Sequence, residues 1–308
     1  MTTKTLKHML TLEELTPVDL DELIHLALDV KRDPAAYGTT LAGKKVALLF
    51  EKASTRTRMS FEVGVVELGG YPLFLSGSDL QIGRGEPIRD TIQVMSRYVD
   101  ALMIRTYAHE TVETLATAGS IPIINGLTDT HHPCQVLADL LTIEETFGLR
   151  QGKVLTYIGD GNNMAHSLML GGALSGMHIR IASPDGYTVD ETIYNKAAAL
   201  AETTGGSVTL YTDPIEATIE ADIVYTDVFA SMGQEDEAEE RLAHFASFQV
   251  NDTLMTSAQD EAIFLHCLPA HRGEEVTANV IDGPQSLVFD QAENRLHAQK
   301  ALMITLLA

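Results

Sequence analysis

Short apolar runs alternate with helix-period patterns along nearly the whole of this 308-residue chain. The first helix is punctuated at its start: Thr16 stands as N-cap, Pro17 takes the first helical position, and Leu20, Leu23, Ile24, Ala27 and Leu28 recur at helical spacing. Residues 46–50 read as a buried strand, and a helix from about Thr55 is predicted to end near Gly69-Gly70. Further strands are predicted at 72–75, 101–104 and 121–124, with helices near 88–97 and 110–118. A long amphipathic helix over 132–147 stops at Gly148. The pattern then restarts with strands at 154–158, 178–182, 208–211, 223–225 and 263–265, and a closing helix over 291–307. Alternation of this kind predicts an α/β protein of two domains, each a parallel sheet flanked by helices. The boundary is expected within 135–150, giving a first domain of 1–147, joined by the closing helix 291–308, and a second of 148–290.

Composition narrows the function classes. There are 43 Asp and Glu against 21 Lys and Arg, a net charge of −22. Nucleic-acid binding is disfavoured, because phosphate contacts need the opposite sign. Two cysteines do not make a disulfide framework and point to a reducing cytoplasm. The first residues lack the apolar core of a signal peptide, and no apolar run approaches the ~20 residues of a membrane helix. The acidity is unevenly spread. From Lys52 to Tyr107, seven bases meet six acids, a local charge of +1, and six of the twelve arginines fall there. From Asp213 to Glu240 there are ten acids and no Lys or Arg. Solvated surface accounts for most individual charges; the sharper reading places an anion site in the first half and a cation-tolerant site in the second.

The polar clusters fall just beyond predicted strands, where open parallel sheets bind ligands. Ser54-Thr55-Arg56-Thr57-Arg58 stands where a strand turns into a helix. Helix-end N–H groups, hydroxyls and guanidinium forks all suit an anion there. An ordinary Ser/Thr N-cap is the bland reading, and two arginines at the positive end of a helix argue against it. The Walker spacing is absent. Gly159-Asp160-Gly161-Asn162-Asn163-Met164 invites a dinucleotide reading, but Met164 stands where the third glycine belongs. Either Asn162 and Asn163 bind something small or the segment is a structural turn. Asp227, His132 and the His266-Cys267 pair are each weak signals alone, and no zinc-like spacing of His and Cys is present.

In combination these residues resemble a known family. Ser54-Thr55-Arg56-Thr57-Arg58, Arg105, His132-Pro133-Cys134-Gln135 and His266-Cys267-Leu268-Pro269 are similar to the signature set of the carbamoyltransferases. Asp227 with Ser231-Met232-Gly233 narrows the resemblance to the branch that acts on ornithine. The segment 77–86 has no lysine, which the aspartate branch carries in that loop. The resemblance runs in unbroken order from about Lys44 onward.

The resemblance implies the carbamoyltransferase fold with its active site in the cleft between the domains, carbamoyl phosphate on the first and L-ornithine on the second. The implied reaction moves the carbamoyl group to the δ-amine through a tetrahedral intermediate, giving citrulline and phosphate. It needs no cofactor, no metal and no covalent enzyme intermediate. Ser54, Thr55, Arg56 and Thr57 would grip the phosphate, and Arg105 would bridge phosphate and carbamoyl oxygen. His132 would polarise the carbonyl with Arg105 and Thr57. Gln135 and the backbone carbonyls of Cys267 and Leu268 would hold the carbamoyl NH₂, Arg295 would reach back into the site, and Gln81 would arrive from a neighbouring subunit of a homotrimer or multiple of trimers. Asn163, Asp227, Ser231 and Met232 would bind the α-groups of ornithine, and Cys267 would lie near the δ-amine. Three rivals stand beside this reading: a nicotinamide-dependent oxidoreductase, a non-catalytic paralogue, and a transferase for putrescine or N-acetylornithine.

Overall fold

The computed structural model describes residues 6–80, 85–230 and 235–308, so Gln81, Ser231 and Met232 lie outside the described residues. The chain divides into two compact units, 1–141 with 293–308, and 142–292.

The first unit opens with α1 (Pro17–Arg32). Its start is a full capping box: Thr16 Oγ1 accepts from Asp19 N at 3.2 Å, and the Asp19 carboxylate accepts from Thr16 N at 2.9 Å. The chain then runs β1 (Lys45–Phe50), α2 (Thr55–Glu67), β2 (Tyr71–Ser76), α3 (Ile88–Met95), β3 (Ala101–Arg105), α4 (His109–Ala118), β4 (Ile123–Leu127) and α5 (Pro133–Phe147). The four strands form one parallel sheet in the order β2-β1-β3-β4. Five of the six residues of β1 are buried, as a strand covered on both faces requires. The β4 edge is covered by a one-residue parallel bridge: Met9 N donates to Ile123 O, and Asn125 N donates to Met9 O. Residue Gly69, at φ +82°, ends α2 in the left-handed region, where a Cβ would stand 2.7 Å from Gly38 O.

The second unit continues with β5 (Val154–Ile158), α6 (Asn163–Leu174), β6 (His178–Ala182), α7 (Glu191–Thr204), β7 (Ser207–Tyr211), α8 (Pro214–Thr218), β8 (Ile223–Thr226), α9 (Ala238–His244), α10 (Asp252–Met255), β9 (Ile263–His266) and α11 (Ala278–Ile281). The last helix, α12 (Val288–Leu307), starts there and belongs to the first unit from Glu293 onward. Its five parallel strands are ordered β7-β6-β5-β8-β9. The helix α6 is buried on every side from Met164 to Leu174, which explains its lack of a polar face. No helix among the described residues is long and apolar enough to cross a membrane.

Both sheets change winding direction at one place, between β1 and β3 in the first and between β5 and β8 in the second. The carboxyl ends of those neighbours are where such sheets hold ligands. Phe50 is in register with Arg105, and Ile158 with Thr226, so the loops that follow each pair start side by side.

Two predicted boundaries move. The strand expected at 121–124 is Ile123–Leu127, because Asn125 and Leu127 extend the pairing with β3 past the apolar run, across a register shift at Gly126. The closing helix starts at Val288, since Phe289 in its first turn is 70% exposed and breaks the core-facing pattern that marked 291 as the start.

Candidate functional site

In the first unit, Ser54 is itself the N-cap of α2: its backbone is extended and its Oγ accepts from Thr57 N at 3.2 Å. That helix carries no acid in its first turn, so its positive end is uncompensated by its own side chains. Thr57 is fully buried, and its Oγ1 is a hub. Ser54 Oγ lies 3.0 Å away, Arg295 Nη2 2.9 Å and Arg105 Nη1 3.5 Å. The other guanidinium arm of Arg295 donates to Gln135 Oε1 at 3.1 Å. Thr55 is exposed at the first position of the helix and Arg56 half-buried behind it.

His132 is buried at the start of α5, and its imidazole is held well below the ordinary histidine range. Burial is the largest cause, followed by the positive charges of Arg295, Arg105 and Arg56. The ring is therefore neutral at physiological pH. One neutral imidazole among three guanidiniums is an electrophilic environment suited to an anion or a polarised carbonyl. Cys134, next but one, is fully buried; burial pushes its thiol up to about 12, with Arg295 acting the other way, so it stays protonated and donates to Asn125 O at 3.4 Å.

The rim of this cluster is stitched across strand ends. Lys52 pairs with Asp129 and lies 4.4 Å from the centre of the Tyr107 ring, and Thr106 donates to Glu51. Arg58 does not join the cluster. It bonds Glu62 at 3.1 Å and covers the Phe74 ring at 3.6 Å, so it is satisfied on the outer face. Of the two helix-end arginines, Arg56 alone is among the charges that act on His132.

In the second unit, Asp227 directly follows β8 and is 7% exposed. Its Oδ1 accepts from Val228 N at 2.8 Å and from Cys267 Sγ at 3.0 Å, and its Oδ2 accepts from Asn162 Nδ2 at 3.1 Å. Asn162 is not a ligand arm reaching outward. Its Oδ1 caps α6 by accepting from Met164 N and Ala165 N, and takes a further bond from Tyr157 OH at 3.3 Å. Burial holds the Tyr157 phenol well above its usual range, with Asp227, Asp160 and Cys267 adding to it, so Tyr157 remains a donor. Asn163 begins α6, half-buried beside this group. Gly161 fits because its backbone lies against the Thr188–Val189 peptide, where a Cβ would come within 2.3 Å. That close approach gives the glycine a packing role and needs no dinucleotide.

Two supporting residues, Arg241 and Glu275, were not visible as motifs. Arg241 on α9 donates to Asp160 Oδ2 at 2.8 Å and to Phe229 O at 3.2 Å, tying the loop after β5 to the segment after β8. His266 accepts from Leu268 N at Nδ1, which puts its proton on Nε2, 3.2 Å from Glu275 Oε1. This holds the turn that carries Cys267 and Leu268, where Leu268 sits at φ +57°, a region disfavoured for a leucine. Potential ligand atoms of Asp227, His266 and Cys267 lie within 4.8 Å of one another. Both ring nitrogens of His266 are already engaged, however, so a metal there would have to displace one of these bonds.

Comparison with known proteins also splits the chain in two, with the closing helix counted in the second part. Residues 7–145 match the family model described as aspartate/ornithine carbamoyltransferase, carbamoyl-P binding domain, and residues 151–306 the one described as the Asp/Orn binding domain. The ornithine carbamoyltransferase of Anoxybacillus flavithermus is 57% identical over 303 residues, covering 98% of this chain and 96% of the relative. That of Bacillus subtilis is 56% identical over 304 residues, covering 98% and 94%. The solved ornithine carbamoyltransferase of Pyrococcus furiosus superposes with a TM-score of 0.96 at 48% identity, covering 100% of this chain and 99% of that one. With both parts matched in order and relatives aligned over almost its full length, the chain belongs to the aspartate/ornithine carbamoyltransferase family.

Proposed function

We propose that the protein transfers the carbamoyl group of carbamoyl phosphate to the δ-amine of L-ornithine, releasing L-citrulline and phosphate. The observation that carries this reading is the neutral, buried His132 beside Arg56, Arg105 and Arg295, with Thr57 as the shared acceptor. Phosphate binds to the Ser54 cap, the first N–H groups of α2, and Thr55, Arg56 and Thr57. Arg105 bridges phosphate and carbamoyl oxygen, and His132 donates a neutral N–H to that oxygen as negative charge develops. Gln135, with the Cys267 and Leu268 carbonyls, takes the carbamoyl NH₂. Arg295 completes the set, and Gln81 joins it from a neighbouring subunit.

Asp227 receives the α-ammonium of ornithine, with Asn163, Ser231 and Met232 around the α-groups. The δ-amine attacks as a free base, and free amines of this type have a pKa of roughly 10. Desolvation beside Cys267 favours loss of that proton. Binding both reactants in line and stabilising the oxyanion supply the catalysis, with no covalent enzyme intermediate.

Assembly as a homotrimer, or a multiple of trimers, is supported by an apolar surface on the first unit. Met59, Val63 and Val66 recur at helical spacing on α2 and are exposed, as are Tyr71 and Phe74 on the adjacent β2 edge. Composition supports a cytoplasmic setting and a role in arginine metabolism fits the product. Product assays with ornithine, putrescine, N-acetylornithine and aspartate as separate acceptors test the reading. Citrulline formed from ornithine alone is the expected result; turnover of putrescine or N-acetylornithine in preference to ornithine would overturn it.

A further inference from the structure

Behind the first-unit cluster lies a carboxylate that the reaction as proposed does not use. Asp139 is fully buried on α5, one helical turn beyond Gln135 and on the same face. Its Oδ1 accepts from Gln135 Nε2 at 2.9 Å. On the other side of the same amide, Gln135 Oε1 accepts from Arg295 Nη1 at 3.1 Å, and Arg295 continues to Thr57 at 2.9 Å. A buried aspartate in the interior of a helix is costly unless it serves a hydrogen-bonded network.

We infer that Asp139 is a positioning residue that locks the side-chain amide of Gln135 in one of its two orientations. An amide offers two chemically opposite ends of nearly equal shape, and its direction is set by its partners. Here a carboxylate faces the NH₂ end and a guanidinium faces the carbonyl end. Reversing the amide would set acceptor against acceptor and donor against donor, so the flipped state is excluded. The consequence is an Oε1 that always points away from Asp139, with one lone pair on Arg295 and the second available to a donor. On the proposed assignment of Gln135 to the carbamoyl NH₂, on which this inference rests, Asp139 determines that the site selects an amide over a methyl ketone of the same shape. Charge matters as well as geometry. An asparagine in its place can present either a carbonyl or an NH₂ to Gln135, and the lock is lost.

The test compares two stable ligands that share a phosphonate and a carbonyl and differ only in NH₂ against CH₃: phosphonoacetamide and 2-oxopropylphosphonate. Their dissociation constants, with that of inorganic phosphate, are measured by calorimetry on the full-length wild type, Asp139→Asn, Gln135→Met and the double variant. Wild type is expected to prefer the amide, and Asp139→Asn to reduce that preference about tenfold, the scale of one lost polar contact. Phosphate affinity should stay within about twofold, because the phosphate donors are untouched. In the Gln135→Met background the substitution should have no further effect on the ratio. Equal weakening of all three ligands, or a further drop in the double variant, would overturn the inference. A wild-type preference that Gln135→Met leaves unchanged would instead overturn the assignment of Gln135 itself. Asp139→Ser is the second variant should Asp139→Asn fold poorly, with the same outcomes decisive.

Discussion

Arg295 Nη2 donates to Thr57 Oγ1 across 2.9 Å, joining residues 238 positions apart in the chain. The bond makes α12 part of the first unit's cluster, and it ends in a hydroxyl that Ser54 and Arg105 also approach. A guanidinium serves here because one rigid fork reaches both Thr57 and Gln135. Lysine offers a point charge with no such fork. Arg295→Lys is therefore expected to raise the carbamoyl phosphate KM about tenfold and to lower kcat by ~10²-fold, the scale of one lost transition-state donor. Steady-state kinetics check this; a KM change without any fall in kcat would confine Arg295 to ground-state binding.

The neutral state of His132 has a pH consequence. Its folded pKa is depressed, chiefly by burial. The unfolded chain takes up that proton as pH falls through about 6.5, while the folded protein does not. The group therefore lowers stability on the acid side and has no such effect above pH 7. His109 and His297, also held low mainly by burial, act in the same direction. The loss of melting temperature between pH 7.5 and 5.5 is expected to be smaller in His132→Asn than in wild type. An unchanged loss would mean that His132 is charged in the folded protein.

Asp227→Ala should raise the ornithine KM by about 10²-fold or more, the cost of removing one partner of a desolvated charge pair. Carbamoyl phosphate affinity should stay nearly constant, because Asp227 bonds only Val228, Cys267 and Asn162 among the described residues whose contacts are resolved at it. Calorimetry with each substrate separates the two effects, and equal loss of both affinities would sink the assignment.

Asn162 does two jobs with one amide. Asn162→Ala removes the α6 cap, costing about 1 kcal/mol of stability, and frees Asp227 Oδ2 from its donor. A lower melting temperature together with a several-fold higher ornithine KM is the expected pair of results. Asn162→Asp keeps the cap but opposes Asp227, so it should restore stability without restoring the KM.

The apolar face of α2 gives a test of assembly. Val63→Glu places a charge on an exposed position between Met59 and Val66, which should spare the fold and weaken any subunit contact that buries this face. If the proposed trimer uses this face, sedimentation should show trimer for the wild type and monomer for the variant. A trimer that survives would place the contact elsewhere.

Much of this architecture is legible from periodicity, and the reason is physical. Strands buried on both faces read as unbroken apolar runs, and Thr16-Pro17 and Ser54 declare helix starts through their side-chain chemistry. Among the described residues, every polar cluster singled out stands at a strand's carboxyl end, as expected of parallel sheets. The supporting residues are not legible. Asp139 reads as one polar letter in a helix, and only the fold brings Arg295 to the amide between them. Asp160 and Arg241 are 81 positions apart and belong to no common motif. Local charge is a coarse guide to position. Of the five described arginines in the first-half window, Arg58, Arg89 and Arg97 are exposed at the surface, and Arg56 and Arg105 act on His132. A count of charge along the chain reports which residues are near in sequence, and the field at a buried imidazole depends on which are near in space.

The route of the chain also sets an order of events during synthesis. The second unit is one continuous segment, whereas the first is completed by residues 293–308. Domains tend to fold as they emerge, N-terminal first. Here that order is inverted at the last step. While α12 is still within the ribosome, Thr57 and Gln135 lack their guanidinium partner and His132 lacks its strongest cationic neighbour. The unit that begins first is therefore completed only after the whole of the second has been made, when Arg295 joins Thr57 and Gln135.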